Sequence, residues 1–473
     1  MAGLLAKLYA ALATQLARLG IIERKRLDAT VDLAWPRVVT GFAIMSKQTA
    51  DLAMVGIVLG APAVAGLAFA GAYWTVGKFV AIGLAGGTVS LVSQNYGGGD
   101  ADRAALIVKQ SVWAALALAL PVVLFYVAFA DTLIGLLSSD PVAIGHGTVY
   151  LVIVAPALGF EFLNMIASRT YAGVGDTFTP MVIRAGGAIL NVVISATLIF
   201  GAGMGVAGAA IGTTVSIIAI TLVFSWGMVG RSYAGRGASP VAISRRGPQV
   251  DRELMGQLVS VSTPLIARRL VEGLVTFPLL AIADTFGSEA VAALEVGRRV
   301  RNLANSTSWG LSIASSTLVG QALGAGQEAD ATAYGSQIIS LALVVHVVIA
   351  AGVIAAAEPI ATVFVDDPAA LALATAFVTV SAISLVALGL DGATTGALRG
   401  AGDTRVPFYA SLVGLYVFAL PVAYLGTLTP LGIWGLYLAL IVETAVPASI
   451  TLWRFRSGRW QAISRNYRPP TAE

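Results

Sequence analysis

The chain contains no cysteine in 473 residues. Disulfides, thiolate metal sites and cysteine nucleophiles are therefore excluded. There are only two histidines, His146 and His346, and they stand in separate segments. A histidine-based zinc site and a Ser-His-Asp triad are both poorly supported, so an intramembrane enzyme is disfavoured. Charge is also scarce. Asp, Glu, Lys and Arg make up 11% of the chain, against roughly 25% in ordinary soluble domains. A chain of this length with so little charge has no surface to offer water. The net charge of +4 is too modest to signal nucleic-acid binding. The glycine-rich turns lack the Lys-Ser/Thr of a phosphate-binding loop, and no nucleotide-binding domain is present to drive a pump.

What the sequence has in abundance is apolar residues, 57% of the total. Runs of about 20, the length that crosses a bilayer, recur throughout. Their positions predict an all-α polytopic membrane protein with twelve spans. Six lie near residues 33–57, 63–92, 106–130, 144–170, 180–201 and 206–229, and six near 258–282, 290–319, 335–357, 370–396, 407–427 and 431–453. They group into an N-lobe, 32–229, and a C-lobe, 258–453, joined by an exposed polar linker, 230–257.

Residues 1–31 are amphipathic, with Leu4, Leu5, Leu8, Leu12, Leu16 and Leu19 at helical spacing and Lys7 and Arg18 between them. This stretch lacks the continuous apolar core of a signal peptide. It reads as a helix lying on the cytoplasmic membrane face, or else as a frayed tail. Positive residues crowd this segment, the linker (Arg231, Arg236, Arg245, Arg246, Arg252) and the tail at 454–473 (Arg454, Arg456, Arg459, Arg465, Arg468). The opposite loops carry Asp131, Asp140, Asp284, Glu289, Glu358, Asp366 and Asp367. Both termini and the linker are therefore expected in the cytoplasm, with the chain in the plasma membrane.

The two halves repeat. Gln94, Asp140, Asp176 and Gly205 recur as Gln321, Asp367, Asp403 and Gly432, each 227 residues later, and Pro36 recurs as Pro264 after 228. Six spans return the chain to its starting side, so the repeats are parallel. Such duplications are characteristic of transporters with a midplane site.

Together, three features resemble the multidrug and toxic compound extrusion (MATE) family. They are Pro36 with Asp51, the loop Gln94-Asn95-Tyr96-Gly97-Gly98-Gly99-Asp100, and Leu398-Arg399-Gly400-Ala401-Gly402-Asp403-Thr404 before Pro407. The resemblance covers the chain past residue 30. It implies a V-shaped pair of six-helix lobes that export organic cations against inward flow of H⁺ or Na⁺, with no other cofactor. It also implies ion coupling at Asp51, Tyr150, Asn191 and Thr213. Where relatives commonly carry a further aspartate, this chain has Ser195. Glu272 resembles a seventh-span glutamate of the sodium-coupled branch, and Asp391 lies about one turn from that branch's tenth-span aspartate.

Ionisable groups inside spans are expensive and mark function by default. Asp51 can take up a proton or hold Na⁺ with Asn191 and Thr213, or it can be a structural partner of Lys47 one turn away. Pro36 is a hinge candidate or a static kink. In the C-lobe, Arg268, Arg269, Glu272, Glu295, Arg298, Arg299, Arg301 and Asp391 form either a salt-bridge network or a charged cavity. Arginines outnumber acids there, which suits anionic or zwitterionic solutes as well as cations. Lys78 can snorkel to the membrane surface, and Glu161 is expected beside a cation. The expected partners are a small organic solute and membrane lipids, with the chain a monomer. The alternative reading is a flippase or exporter of lipid-linked or anionic solutes.

Overall fold

The computed structural model describes residues 10, 11, 13–233, 235, 237–244, 248–365 and 368–469. Leu4, Leu5, Leu8, Leu12 and Lys7, the linker residues Arg236, Arg245 and Arg246, and Asp366 with Asp367 lie outside the described residues.

Among the described residues the elements are all helical. In the first half they are α1 (Arg24–Leu59), α2 (Ala61–Gly97), α3 (Ala101–Gly135), α4 (Pro141–Gly173), α5 (Phe178–Ala196) and α6 (Gly205–Met228). A π-helical turn, Thr197–Gly201, extends α5. The second half runs α7 (Arg252–Leu274), α8 (Thr276–Asp284), α9 (Ser288–Gly324), α10 (Glu328–Ala355), α11 (Ala357–Thr362) and α12 (Pro368–Gly400). It continues through α13 (Arg405–Leu412), a π segment (Val413–Ala419), α14 (Leu420–Leu428), α15 (Trp434–Arg456) and α16 (Arg459–Ser464). Each expected span falls on one helix or on a helix with its continuation, so the chain is a twelve-span all-α membrane protein. Ten spans are long and apolar enough to cross a membrane by composition alone. The other two, α7 and α9, carry the arginine and glutamate residues singled out above.

Polar caps set several ends. The Asp100 carboxylate accepts from Arg103 N at 2.8 Å and starts α3, and Asp140 accepts from Val142 N at 2.9 Å with Pro141 opening α4. The helices overrun their apolar windows into such polar ends. The first overrun is the largest, since α1 already begins at Arg24, inside the stretch expected to be a separate surface helix.

The repeat is visible in the backbone. Glycines with positive φ occur in pairs 227 residues apart: Gly60 and Gly287, Gly99 and Gly326, Gly175 and Gly402, Gly205 and Gly432. Each ends or begins a helix where other residues are strained, so these turns are fixed by glycine at matching places in both halves.

The chain divides into two compact units. One comprises residues 1–38, 97–99 and 271–473, and the other residues 39–96 and 100–270. The first unit thus includes the start of α1, and the second includes most of α7. In the first unit, Gly310 of α9 lies so close to α1 that a Cβ would meet the Ala34 carbonyl at 2.8 Å. In the second, Gly83 of α2 stands against α7, where a Cβ would meet Ile266 N at 2.5 Å. Gly83 and Gly310 are repeat mates, and each unit is completed by a helix from the other half of the sequence.

The linker is less exposed than its polarity suggests. Val241 is buried, and Ile243 N donates to Met228 O at 2.7 Å. Lys109 Nζ donates to Pro248 O at 3.2 Å, and Gln110 binds Gln249 O and Asp251 N. Buried polar groups on α3 need these partners, so part of the linker is pinned to the unit.

Candidate functional site

Asp51 sits on α1 beside Val55, and the side chain is buried, 5% exposed. Thr213 Oγ1 of α6 donates to Asp51 Oδ2 at 3.3 Å, and Asn191 Nδ2 of α5 donates to Thr213 Oγ1 at 3.1 Å. Gly212 explains the approach of α5 and α6. A Cβ there would meet Ser195 Oγ and lie 2.9 Å from Ser195 N. Ser195 also faces the Asp51 carboxyl, and Tyr150 of α4 lies close to both Asp51 and Thr213. Tyr150 packs against a small apolar core of Val55, Ala63, Leu67 and Ile199. The five N-lobe residues singled out from the sequence therefore meet in one place.

Their hydrogen bonding is incomplete. Asp51 Oδ1, Asn191 Oδ1 and Ser195 Oγ are buried and make no hydrogen bond of good geometry, although Ser195 and Asn191 stand close enough to the Asp51 carboxyl to stabilise its charge. Buried polar atoms are nearly always satisfied, so this concentration of orphan oxygens needs an explanation. A proton on Asp51 supplies a donor. Na⁺ also fits, because it takes oxygen ligands and three are on offer. Among the described residues no group of three His, Cys, Asp or Glu side chains is present to hold a metal.

A second charged group lies next to the first. A cavity of about 70 Å³ is lined by Lys47, Lys78, Glu161, Arg184, Trp74 and Thr213, among others. Thr213 therefore touches both places. Arg184 Nη1 binds Glu161 Oε1 at 3.3 Å, and both side chains are almost fully buried. Asn164 Nδ2 adds a long contact to Glu161 Oε2 at 3.5 Å. Lys47 interacts electrostatically with both Asp51 and Glu161. Its partnership is thus shared, where the sequence suggested a single pair with Asp51. Arg184 was not singled out beforehand, although a lone arginine in an apolar span is the signal that marks such residues.

In the other unit, Arg298 is linked electrostatically to Arg301, Glu443 and Glu295. Glu272 accepts from Ser411 Oγ at 3.2 Å. Asp391 accepts from Thr395 at 3.2 Å and Thr451 at 3.1 Å. Arg298 donates to Thr276 at 2.7 Å, and Arg301 pairs with the buried Glu443, a residue the sequence reading passed over. Glu295 lies within electrostatic range of Arg298. Arg299 is exposed. Arg268 and Arg269 fall in the unit that holds Asp51, while Glu272 falls in the other. Trp309 stacks on Arg37, His346 is buried against Ala342 O, and Trp113 is exposed. Pro36 is buried within α1, two residues before the first unit gives way to the second.

Comparison with known proteins decides the family. The MatE family model matches residues 36–197 and, a second time, residues 264–425. The chain belongs to the MatE family. Both matches begin at one of the paired prolines, and they include the Gln94/Gln321, Asp140/Asp367 and Asp176/Asp403 pairs of the duplicated register. Multidrug resistance protein PmpM of Pseudomonas aeruginosa is 28% identical over 441 residues, spanning 89% of this chain and 90% of PmpM. A probable multidrug resistance protein NorM of Deinococcus radiodurans is 30% identical, spanning 92% of this chain and 96% of its own. A solved MATE structure in the bent conformation superposes with a TM-score of 0.84 at 21% identity, covering 93% of this chain and 97% of that one. A MOP-superfamily transporter from Pyrococcus furiosus, described by a reversed polarity of its binding pocket, superposes with a TM-score of 0.81 at 21% identity, covering 92% and 96%. These structures share the fold. The MatE family is one of multi-pass membrane transporters, not of enzymes.

Proposed function

We propose that this chain is a secondary active antiporter that exports organic compounds in exchange for H⁺ or Na⁺ by alternating access. The observation that carries this reading is the buried Asp51 carboxylate, held by Thr213 and ringed by unsatisfied oxygens of Asn191 and Ser195. The multidrug names of the relatives support organic solutes as the cargo. Outward-facing ion entry neutralises Asp51. The relaxed packing of α1 then shifts about Pro36, close to where the chain passes between its compact units. Coupling requires the ion to bind the two conformations with different affinity. Loop charges support a plasma-membrane chain with both termini and the linker cytoplasmic. The repeat supports sequence lobes of 32–229 and 258–453, with 1–31 and 454–473 as cytoplasmic flanks, although the compact units exchange the start of α1 and most of α7.

The resemblance favours cationic solutes. The runner-up, export of anionic or lipid-linked solutes, is favoured by the three cations and one carboxylate that line the cavity beside Thr213. Efflux of a fluorescent organic cation from proteoliposomes, under separate pH and Na⁺ gradients, tests the first reading. Transport driven by one gradient and abolished in Asp51→Asn supports it. Efflux in Asp51→Asn that still follows the gradient sinks it.

A further inference from the structure

Two cavities of the Asp51-containing unit lie on either side of a contact between α5 and α6. The smaller is the basic one, with Lys47, Lys78 and Arg184 against Glu161. The larger, about 650 Å³, is an almost wholly apolar groove whose walls include Phe178, Val182, Leu190 and Val223. Gly187 and Ile220 line both. The four apolar wall residues are exposed, on helices that cross the membrane. The groove therefore opens where acyl chains run, and Ile220, packed on Gly187, stands between it and the pocket of Lys47, Lys78, Arg184 and Glu161.

Arg184 shows what the pocket lacks. One guanidinium nitrogen binds Glu161, while Nη2 is buried and has no hydrogen-bond partner. An unmet buried donor on a charged group is costly, and a carboxylate is its natural complement. Lys47, which also interacts with Asp51, and Lys78 line the same pocket. A cavity of this size has room for a carboxylate head but not for the body of a large solute.

We propose that the two cavities become one site for an amphipathic carboxylate drawn from the membrane once the Ile220 side chain turns off Gly187. Its head lies against Arg184 Nη2 and Lys47, and its chain lies in the groove along Val182, Leu190 and Val223. Occupancy completes the hydrogen bonding of Arg184 and fills apolar volume that otherwise faces lipid. The site does not depend on ion coupling at Asp51.

The test is equilibrium binding of radiolabelled dodecanoate to the full chain in nanodiscs of zwitterionic lipid. Competition is run with methyl dodecanoate and with dodecyltrimethylammonium. One saturable site is expected, with both competitors weaker by about tenfold or more, the worth of a charged hydrogen bond. Lys47→Gln is expected to weaken dodecanoate by a similar factor. Gly186→Phe fills the groove from a position where a Cβ meets nothing within 4 Å, and it should weaken binding too. The Glu161→Gln/Arg184→Gln pair probes the guanidinium directly, and if it does not fold, Lys47→Gln decides. Methyl dodecanoate competing as well as dodecanoate overturns the proposal, as does wild-type affinity in both Lys47→Gln and Gly186→Phe. No gradient is applied, so failure of the coupling reading leaves this result standing.

Discussion

Thr213 Oγ1 donates to Asp51 Oδ2 at 3.3 Å, tying α6 to α1 across 162 residues of sequence. The same hydroxyl accepts from Asn191 Nδ2 at 3.1 Å, so one side chain orders three helices around the buried carboxylate. Thr213→Val keeps the shape and removes both bonds. It should cost about 1.5–3 kcal/mol, as expected for a hydrogen bond to a charged group, and it should slow gradient-driven efflux markedly. Thr213→Ser keeps the hydroxyl and should behave nearly as the parent. Thermal unfolding and proteoliposome efflux of the two variants check this. Parent-like behaviour in Thr213→Val would remove Thr213 from the site.

The Arg184–Glu161 pair is buried on both sides, at 7% and 8% side-chain exposure. Removing one member strands a charge in a low-dielectric interior. Arg184→Ala is therefore expected to destabilise the protein by about 3–5 kcal/mol. Replacing both members, as Glu161→Gln/Arg184→Gln, should cost much less, because no unpaired charge remains. The measurement is the melting temperature of each variant in the same detergent. A double variant as unstable as Arg184→Ala would mean that packing by the guanidinium, not charge pairing, holds this place together.

The number and order of spans were readable from apolar runs alone, since length and hydropathy are local properties. The ends were not, because Asp100 and Asp140 continue the helices past the apolar windows through caps that hydropathy does not register. The assignment of the start of α1 to the unit of α9 was also hidden. Leu27, Leu33 and Ala34 share one apolar core with Leu311 and Ala314, and Gly310 lies against Ala34, contacts that no periodicity encodes. The Asp51 constellation was readable because an acid within a span is costly and the MATE resemblance supplied its companions. Arg184 and Glu443 obey the same rule, yet their partners lie 23 and 142 residues away. Charge in a span is visible in sequence, whereas the pairing that gives it a role is not.

Glu328 receives Arg465 at 3.0 Å and Arg468 at 2.6 Å, so ion pairs offer one way to dock the C-terminal segment. Arg465 is largely exposed, however, so water and salt screen its share. Trp460 is fully buried, stacks on Phe455 at 5.2 Å between centroids, and donates to Phe455 O at 2.8 Å. The apolar anchor should dominate. Glu328→Gln is expected to cost about 1 kcal/mol or less, and Trp460→Ala about 3–5 kcal/mol. Limited proteolysis should cut residues 457–469 readily in Trp460→Ala and slowly in Glu328→Gln. The opposite order would assign the docking to charge.

Gly83 and Gly310 occupy equivalent positions in the two halves, and each admits a helix from the other half at backbone distance. A Cβ on Gly83 would sit 2.5 Å from Ile266 N and 2.6 Å from Ile266 Cα, and one on Gly310 would sit 2.8 Å from Ala34 O. Backbone atoms cannot rotate away as a side chain can, so the helices must separate. Gly83→Ala and Gly310→Ala are each expected to destabilise by about 1–3 kcal/mol through overpacking. Gly83→Ala should be the more severe, since its backbone contacts are closer. Alanine is otherwise the better helix former by roughly 1 kcal/mol, so a loss of stability cannot come from helix propensity. Melting of the two variants settles the matter. Equal or higher stability would show that α2 and α9 tolerate a shift of their partners, and the close approach would then carry no structural weight.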